Sequence, residues 1–271
     1  SFLKSAMRVE DTLAEIVVGV GAAVGMLFYL LAGHISDRVG RKKPIVIGYL
    51  ATLLLLFPAF WLMGASANPA LAEQARRAPV TVAGPDCSFS AFSTEQSTQC
   101  GKLLADLAGS GVPYSLKTAP ALTLRAGDRV LQLDAYPWTD KAARAKALQA
   151  MLADAGYDFT KVRPGPVQIA GIIASLLLLM ALSGFTYGPV AALLTEMFPP
   201  RIRYSSMSTP YHIGTGYFGG FLPFISSLIV AKTGDPYSGL WYTWVVVAVA
   251  FLVAMWGLKG GPPQAYGDDA V

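Results

Sequence analysis

Two long uncharged apolar runs, separated by a short basic loop, constrain the fold of this chain most. Residues 16–33 and 44–63 contain no Asp, Glu, Lys or Arg, and each approaches the roughly 20 apolar residues that a helix needs to cross a hydrocarbon core. The loop between them carries four basic residues, Arg38, Arg41, Lys42 and Lys43. Because short cytoplasmic loops are enriched in Lys and Arg, the loop at 34–43 is predicted to lie on the cytoplasmic side of a membrane.

Three further apolar stretches, 167–194, 207–231 and 239–258, complete the predicted membrane part. The composition agrees, since 54% of the residues are hydrophobic and 14% are charged. The basic residues form no stripe or motif typical of a nucleic-acid reader, so the net charge of +4 does not indicate a nucleic-acid partner. We therefore expect an all-α polytopic membrane protein of five spans in a lipid bilayer. The third span is predicted to break near its cytoplasmic end at Gly184, Gly188 and Pro189.

Residues 64–165 differ from the apolar runs that flank them. They contain eleven basic and nine acidic residues, which is typical of a soluble unit. Alternation of the spans places this unit outside the cytoplasm, and its Lys and Arg do not contradict that because long loops escape the positive-inside bias. We expect a small α+β insert, with strands at 79–83 and 129–133 and helices at 100–108 and 139–155, in a strand order that the pattern does not give.

These segments divide the chain into four parts. Residues 1–63 hold the end of an outer loop and two spans, 64–165 form the extracytoplasmic insert, and 166–258 hold three spans. Residues 259–271 form a polar tail that we expect to be cytoplasmic and disordered. The chain begins with Ser1 rather than Met and shows no signal peptide, so we expect a fragment or a chain from which upstream residues have been removed.

Both cysteines of the chain, Cys87 and Cys100, fall in the insert. An even count confined to an extracytoplasmic segment favours one disulfide in an oxidising compartment. A metal pair is a poor alternative because the insert has no His to complete a site, and no metal is expected. No cofactor is expected either. The sequence has no Walker loop, dinucleotide fingerprint or nucleophile–base pair, which argues against an enzyme or an ATP-driven pump.

The basic loop has an ordered pattern as well as a charge. It reads Gly33-x-x-Ser36-Asp37-Arg38-x-Gly40-Arg41-Lys42. This order of small residue, acid–base pair, glycine turn and basic cluster resembles the signature loop of the major facilitator superfamily of secondary transporters. In that superfamily the loop links the second and third spans and recurs in weaker form between the eighth and ninth. The alternative, a generic positive-inside loop, would supply the basic residues but not their order.

A second cytoplasmic stretch sharpens the resemblance. It reads Glu196-Met197-Phe198-Pro199-Pro200-Arg201-Ile202-Arg203 and continues through Tyr204-Ser205-Ser206-Met207-Ser208 to Tyr211-His212-Ile213-Gly214. Together with the large insertion, it resembles the metabolite:proton symporter family within the superfamily. The resemblance implies that the five spans are the eighth to twelfth of twelve, with the first half and most of the seventh span missing. The chain departs from the family because it lacks the Pro-Glu-Thr sequence often seen after the last span.

The resemblance implies a secondary active transporter, not an enzyme, that carries a small organic solute with a proton by alternating access. It implies a location in the plasma membrane, here the bacterial inner membrane, and a partner in the missing N-terminal half. The alternative is a membrane-anchored sensor or solute-binding protein that uses the extracytoplasmic insert. An anchor would need neither of the two ordered cytoplasmic loops, so we favour the transporter.

Charged residues at the cytoplasmic ends of the spans are candidates for a gate. The set is Asp37, Arg38, Arg41, Glu196, Arg201 and Arg203. Glu196 has reason to seek a cation, because an acid at a helix C-terminus opposes the helix dipole, and Arg38 or Arg41 can reach it if the spans pack as in the family. We expect a bidentate pair there, and a partner for Asp37 in the missing half. The alternative is a set of separately solvated charges.

Polar side chains inside the spans are candidates for a transport pathway, because polar groups facing lipid are costly. The candidates are Tyr187, Tyr211 and His212. His212 can line the path, bind the solute or carry a proton, since its unperturbed pKa lies near neutrality. Alternatively, it donates a hydrogen bond to a backbone carbonyl of a neighbouring helix, and either tyrosine anchors its helix at the interface or packs against a neighbour.

Overall fold

The computed structural model describes residues 2–93 and 95–260. In chain order these residues form a π-helical turn at Phe2–Ala6, α1 (Asp11–Val39), α2 (Lys42–Ala67), α3 (Pro69–Arg77), β1 (Val80–Gly84), α4 (Gln99–Gly109), β2 (Tyr114–Thr118), β3 (Thr123–Ala126), β4 (Arg129–Leu131), α5 (Lys141–Ala153), α6 (Pro166–Met197), α7 (Arg203–Ile213), a π-helical segment at Gly214–Gly219, α8 (Gly220–Thr233) and α9 (Leu240–Gly257). Of the tail predicted at 259–271, residues 261–271 lie outside the described residues.

Five helices in the described part of the chain are long and apolar enough to cross a membrane. Four are α1, α2, α6 and α9, and the fifth runs from Arg203 to Thr233 through α7, the π-helical segment and α8. They coincide with the five predicted apolar stretches. The prediction of an all-α polytopic membrane protein with a small α+β insert is therefore confirmed.

Two local expectations about these helices are wrong. The residues predicted as a loop at 34–43 are mostly helical, because α1 continues to Val39 and only Gly40 and Arg41 separate it from α2. Gly40 ends α1 with a φ of 87°, a left-handed conformation that glycine adopts without steric cost. The second error is the break predicted in the third span, since α6 runs continuously past Gly184 and Pro189.

The glycines of α6 allow close packing on α1 instead of breaking the helix. A Cβ at Gly184 would lie 2.9 Å from the backbone carbon of Phe28, and one at Gly188 would lie 3.1 Å from the carbonyl oxygen of Tyr29. Small residues let helix backbones approach closely in a bilayer. The Tyr29 and Ser183 hydroxyls lie 2.6 Å apart and form a hydrogen bond between the same two helices.

Contacts within the chain define two compact units. The first comprises the described residues within Ser1–Ile16, Leu62–Ile172 and Phe224–Gly239. The second comprises those within Val17–Trp61, Ile173–Pro223 and Leu240–Val271. The insert lies in the first unit, and most of the length of α1, α2 and α6 lies in the second.

The insert is a four-stranded sheet covered by helices, with strand order β2-β1-β3-β4. β1 and β2 are parallel and α4 makes the crossover between them, whereas β3 is antiparallel to both β1 and β4. Eight large, fully buried side chains of the insert come from β1, β3, α4 and α5: Val80, Val82, Leu103, Leu104, Leu107, Leu124, Leu148 and Leu152. These side chains form one continuous core between sheet and helices.

The sequence predicted part of this insert. The helices expected at 100–108 and 139–155 are α4 and α5, and the strands expected at 79–83 and 129–133 are β1 and β4. α3, β2 and β3 were not predicted. β2 has one buried residue, Tyr114, followed by four exposed ones, so it lacks the apolar alternation by which strands are recognised.

The disulfide predicted between Cys87 and Cys100 is present, with Cα atoms 4.8 Å apart.

Further contacts attach the insert to the helix ends of the same unit. Asn68 donates to the carbonyl oxygen of Met7 at 3.2 Å. The Tyr114 hydroxyl donates to the carbonyl oxygen of Ala231 at 2.6 Å and its backbone N–H to that of Gly234 at 3.0 Å. The insert is therefore held to both the N-terminal segment and the end of α8.

A buried ion pair crosses the core of the insert. Arg144 on α5 and Asp106 on α4 have side chains only 3% and 4% exposed, and Arg144 Nε donates to Asp106 Oδ2 at 2.9 Å. The Tyr136 hydroxyl donates to the same oxygen at 3.0 Å, and Arg144 Nη1 donates to the carbonyl oxygen of Trp138 at 2.9 Å. Burial, with the neighbouring Asp106 carboxylate, raises the pKa of Tyr136. Both members of the pair therefore have further hydrogen-bond partners, as buried charges require.

We predict that Arg144→Met destabilises the insert by about 3–5 kcal/mol, because it leaves the Asp106 carboxylate buried without its cation. Hydrogen exchange of the α4 amides in the detergent-solubilised chain measures this. The matched control is Arg129→Met, since the Arg129 side chain is exposed and, within the described residues, donates to the carbonyl oxygen of Asp154 and forms no ion pair. Equal loss of α4 protection in the two variants would contradict the prediction.

Candidate functional site

A cluster of charged residues lies at the junction of α1 and α2. Arg41 Nε and Nη2 donate to Glu196 Oε1 at 3.0 and 2.7 Å. Arg41 Nη1 donates to Ser36 Oγ at 2.6 Å and also to the Asp37 carboxylate. The Arg41 and Glu196 side chains are 11% and 19% exposed, whereas Asp37 is mostly exposed. We call Ser36, Asp37, Arg41 and Glu196 the Arg41 cluster.

Local structure explains why these groups meet. Gly40 turns the chain sharply after α1, so that Arg41 folds back beside the last turn of that helix. Ser36 is fully buried there, and its hydroxyl donates to the carbonyl oxygen of Gly33 at 2.8 Å. Glu196 stands one residue before the end of α6, where unpaired carbonyls make a carboxylate unfavourable without a cation.

The electrostatics favour a charged guanidinium at this position. The hydrogen bonds from Arg41 to Glu196, with a smaller contribution from Asp37, raise the pKa of Arg41. A guanidinium shared by two carboxylates therefore stays protonated at any physiological pH. A charge-assisted contact consequently joins the α1–α2 turn to the C-terminal end of α6, the end that is predicted to be cytoplasmic.

Two expectations about this cluster are corrected. The pair is not bidentate in the expected sense, because both guanidinium nitrogens converge on the single oxygen Oε1 of Glu196. Asp37, whose partner was expected in a missing part of the protein, pairs with Arg41 four residues later. The turn at Gly40 brings Arg41 back to Asp37, which linear spacing alone did not reveal.

The remaining gate candidates are not part of the cluster. Among the described side chains, neither Arg38 nor Arg201 forms an ion pair with Glu196, and both are exposed. Arg203 Nε instead donates to the carbonyl oxygen of Phe198 at 3.2 Å, at the start of α7. Sequence reasoning missed Ser36 as a contact of Arg41, although Ser36 stands in the ordered motif of the loop.

The predicted pathway residues lie together on the second unit. The Tyr187 hydroxyl on α6 and the Tyr211 hydroxyl on α7 are 2.8 Å apart and hydrogen-bonded. The His212 ring meets the Tyr211 ring edge-on, with centroids 5.7 Å apart. All three side chains are exposed. The structure therefore joins the three candidates into one polar patch, which we call the Tyr187 patch.

The helix that carries Tyr211 changes its winding directly after the patch. Residues Gly214–Gly219 form a π-helical segment, and such segments occur frequently at functional sites. A Cβ built at Gly214, Gly216 or Gly219 would meet no described atom within 4 Å. This glycine-rich face is therefore open in the second unit.

The chemistry of the described side chains does not include a metal centre. Residues 2–93 and 95–260 contain no group of three His, Cys, Asp or Glu side chains placed to hold a metal ion. The Arg41 cluster can pair charges between helices, and the Tyr187 patch can form hydrogen bonds between helices. Five apolar helices with such groups at one end and within the spans are those of a multi-pass membrane protein.

Comparison with known proteins shows what the chain is similar to. The chain is 32% identical over 114 residues to the citrate-proton symporter of Klebsiella pneumoniae, covering 40% of this chain and 26% of that protein. It is 37% identical over 60 residues to a putative proline/betaine transporter of Staphylococcus aureus, covering 22% and 13%. It is 34% identical over 70 residues to the inner membrane metabolite transport protein YhjE of Escherichia coli, covering 26% and 16%.

These similarities confirm the resemblance to metabolite transporters of the major facilitator superfamily that the ordered loops predicted. No family model matches the chain, and no solved structure matches it. The matched segments span about a quarter or less of the length of the curated relatives. The chain is thus a multi-pass membrane protein whose relatives are transporters.

Proposed function

We propose that this chain forms one helical bundle of a proton-coupled secondary transporter for a small organic solute. The observation that carries the proposal is the Arg41 cluster, which joins an ordered transporter-like loop to the end of α6. The names of the relatives, which include a citrate-proton symporter and metabolite transport proteins, support the same class of function. Secondary transporters of this class pair two bundles and rock them about a central site. The second bundle would be supplied by the part of the relatives that this chain does not cover.

The Arg41 cluster would act as the cytoplasmic gate by fixing one end of α6. Tyr187 lies nine residues before Glu196 on this helix, or about 14 Å along its axis at 1.5 Å per residue. Holding Glu196 therefore holds the segment that presents Tyr187. The Asp37 carboxylate is mostly exposed and adds only a weak second pairing, so the helix end would be held chiefly by the Arg41–Glu196 contact and released when that contact opens.

The Tyr187 patch would line the solute and proton pathway. Tyr187, Tyr211 and His212 are polar groups within membrane helices, where such groups are rare and usually functional. None of the three side chains is buried by the rest of its own unit. A second bundle packed on this face would enclose them around a solute, and the imidazole of His212 has one nitrogen that can donate and one that can accept a proton.

The proposed orientation follows from charge and alternation. The Arg41 cluster and residues 195–206 would lie in the cytoplasm, and the insert at 64–165 would lie outside it. An outer location suits the Cys87–Cys100 disulfide, because disulfides persist in oxidising compartments. The name of the Escherichia coli relative supports the bacterial inner membrane.

Proton-driven uptake tests the function directly. We expect vesicles that hold the transporter containing this chain to accumulate one of citrate, proline or betaine when an inward proton gradient is applied. Counterflow of the labelled solute without a gradient should remain, because exchange needs no net proton movement. Absence of both activities for a broad panel of solutes would contradict the proposed function.

Labelling with a membrane-impermeant maleimide tests the orientation. The native cysteines are bonded and do not react, so single substitutions can be made in the unmodified chain. Asp128→Cys, in the exposed turn between β3 and β4, should label in intact cells. Ser205→Cys, on the exposed surface of α7, should label only after permeabilisation. The reverse pattern would overturn the orientation.

A double-mutant cycle tests the gate. Glu196→Gln and Arg41→Ala should each slow transport by disturbing the balance of inward and outward states, while solute binding is largely kept. The double variant should be much less impaired than the two losses combined, with a coupling free energy of about 1–3 kcal/mol, because the side chains are in direct contact.

Arg38→Ala is the matched control for this cycle. Arg38 lies three residues before Arg41, is exposed and does not pair with Glu196 among the described side chains. It should transport at close to the wild-type rate and show no coupling to Glu196→Gln. Wild-type transport in both Glu196→Gln and Arg41→Ala would refute the gate.

A further inference from the structure

A cavity in the first unit is lined by an excess of positive charge. It has a volume of about 330 Å³ and lies between α4, α5 and the segment that precedes α1. Its cationic lining residues are Lys4, Arg8, Lys141 and Lys161. Its one carboxylate among the described residues is Asp106, whose charge is already matched by Arg144. A volume of this size lies at the lower end of those of known ligand pockets.

Arg8 is the most unusual residue of this cavity. Its φ of 56° makes it the non-glycine residue with a left-handed backbone in the described part of the chain. That conformation costs free energy for any residue with a Cβ, and such strain persists where the surroundings impose it. Arg8 is also 5% exposed, so its guanidinium is almost fully removed from bulk water.

The contacts of Arg8 hold it in place without neutralising it. Its Nε and Nη2 donate to the carbonyl oxygen of Ser110 at 3.3 and 3.1 Å, and its Nη1 donates to the carbonyl oxygen of Asp158. The guanidinium carbon lies 4.2 Å from the centre of the Phe159 ring. Among the described residues, no carboxylate lies within ion-pair distance of Arg8. A buried charge without a counter-charge in contact is costly, so an anion that reached Arg8 would be stabilised there.

The geometry leaves Arg8 with donors to spare. A guanidinium has five N–H groups, and the carbonyl oxygens take three of them. One N–H remains on each terminal nitrogen, and each is a charge-assisted donor for a carboxylate oxygen. Burial lowers the pKa of Arg8 to about 10, against a smaller opposite influence of Asp158, so the side chain is still protonated at neutral pH.

The three lysines differ in their availability. Lys4 pairs with Glu15 and Lys161 pairs with Asp11, both through exposed or half-exposed contacts. Exposed ion pairs contribute little stability, so these ammonium groups can turn toward an incoming anion at small cost. Lys141, at the start of α5, is exposed and forms no ion pair with the described residues. It is therefore available to meet an anion at the mouth of the cavity.

We propose that this cavity binds a small organic anion with one or more carboxylates, held at its base by Arg8 and at its mouth by Lys141. The binding site goes beyond the proposed transport function and does not depend on it. Its residues belong to the insert and its N-terminal flank, separate from both the Arg41 cluster and the Tyr187 patch. If the insert lies outside as proposed, the site would meet anionic solutes before they reach the spans.

Calorimetric titration of the detergent-solubilised chain with citrate tests the site, in a buffer free of carboxylates and at low salt. We expect saturable binding by the wild-type chain, weakened at least tenfold by Lys141→Glu and by Arg8→Gln. The matched control is Lys146→Glu, since Lys146 is exposed on the same helix α5 and does not line the cavity. It should bind citrate as the wild type does.

Two further arms make the outcome decisive. Arg8→Gln can loosen the N-terminal segment as well as the site, whereas Lys141→Glu changes an exposed side chain and leaves the core intact, so the Lys141 variant decides. Inorganic phosphate titrated in place of citrate should bind at least tenfold more weakly, and equal affinity would overturn the assignment to a carboxylate. No citrate binding by the wild-type chain, or equal binding by Lys141→Glu and Lys146→Glu, would overturn the site itself.

Discussion

The lack of water in a hydrocarbon core is the constraint on which this structure depends. Every backbone N–H and C=O within the membrane must find a partner inside the chain, so the apolar stretches form uninterrupted helices rather than looser segments. The same constraint explains why α6 continues past Pro189. Charged residues are confined to the helix ends, where Arg41 and Glu196 meet. Both side chains are mostly shielded from water there, so each needs an oppositely charged partner.

Three arginines show how the chain treats a desolvated cation in three different ways. Arg144 is buried and matched by the Asp106 carboxylate, whose oxygen also accepts from the Tyr136 hydroxyl, with the Glu95 carboxylate 4.0 Å away and one carbonyl oxygen as a further acceptor. Arg41 is partly buried and shared between two carboxylates, one of them exposed. Arg8 is buried with carbonyl oxygens and a ring as its only partners in the described structure. The first arrangement suits permanent structure, the second a contact that exchanges, and the third a site that accepts a further anion.

The sequence predicted those features that depend on composition or on strictly local order. Uncharged runs of helical length gave the spans, and two cysteines in one polar segment gave the disulfide. The end of α1 was placed too early, because the helix continues through charged residues until the left-handed Gly40 stops it. The pairing of Asp37 with Arg41 depends on that turn and could not be predicted without it. Arg8 gave no signal, since neither its φ nor its burial between Ser110 and Asp158 is encoded in the neighbouring residues.

The helix from Arg203 to Thr233 combines properties that conflict for an isolated membrane span. It is the least hydropathic of the five candidate spans in the described chain, yet none of the residues in its most apolar window is buried. Facing lipid, its polar side chains, among them Tyr211 and His212, would lie in hydrocarbon, where polar groups are costly. The conflict disappears if this face meets protein or a water-filled path. The π-helical segment that follows Tyr211 agrees with this explanation, because π-helical segments occur frequently at functional sites.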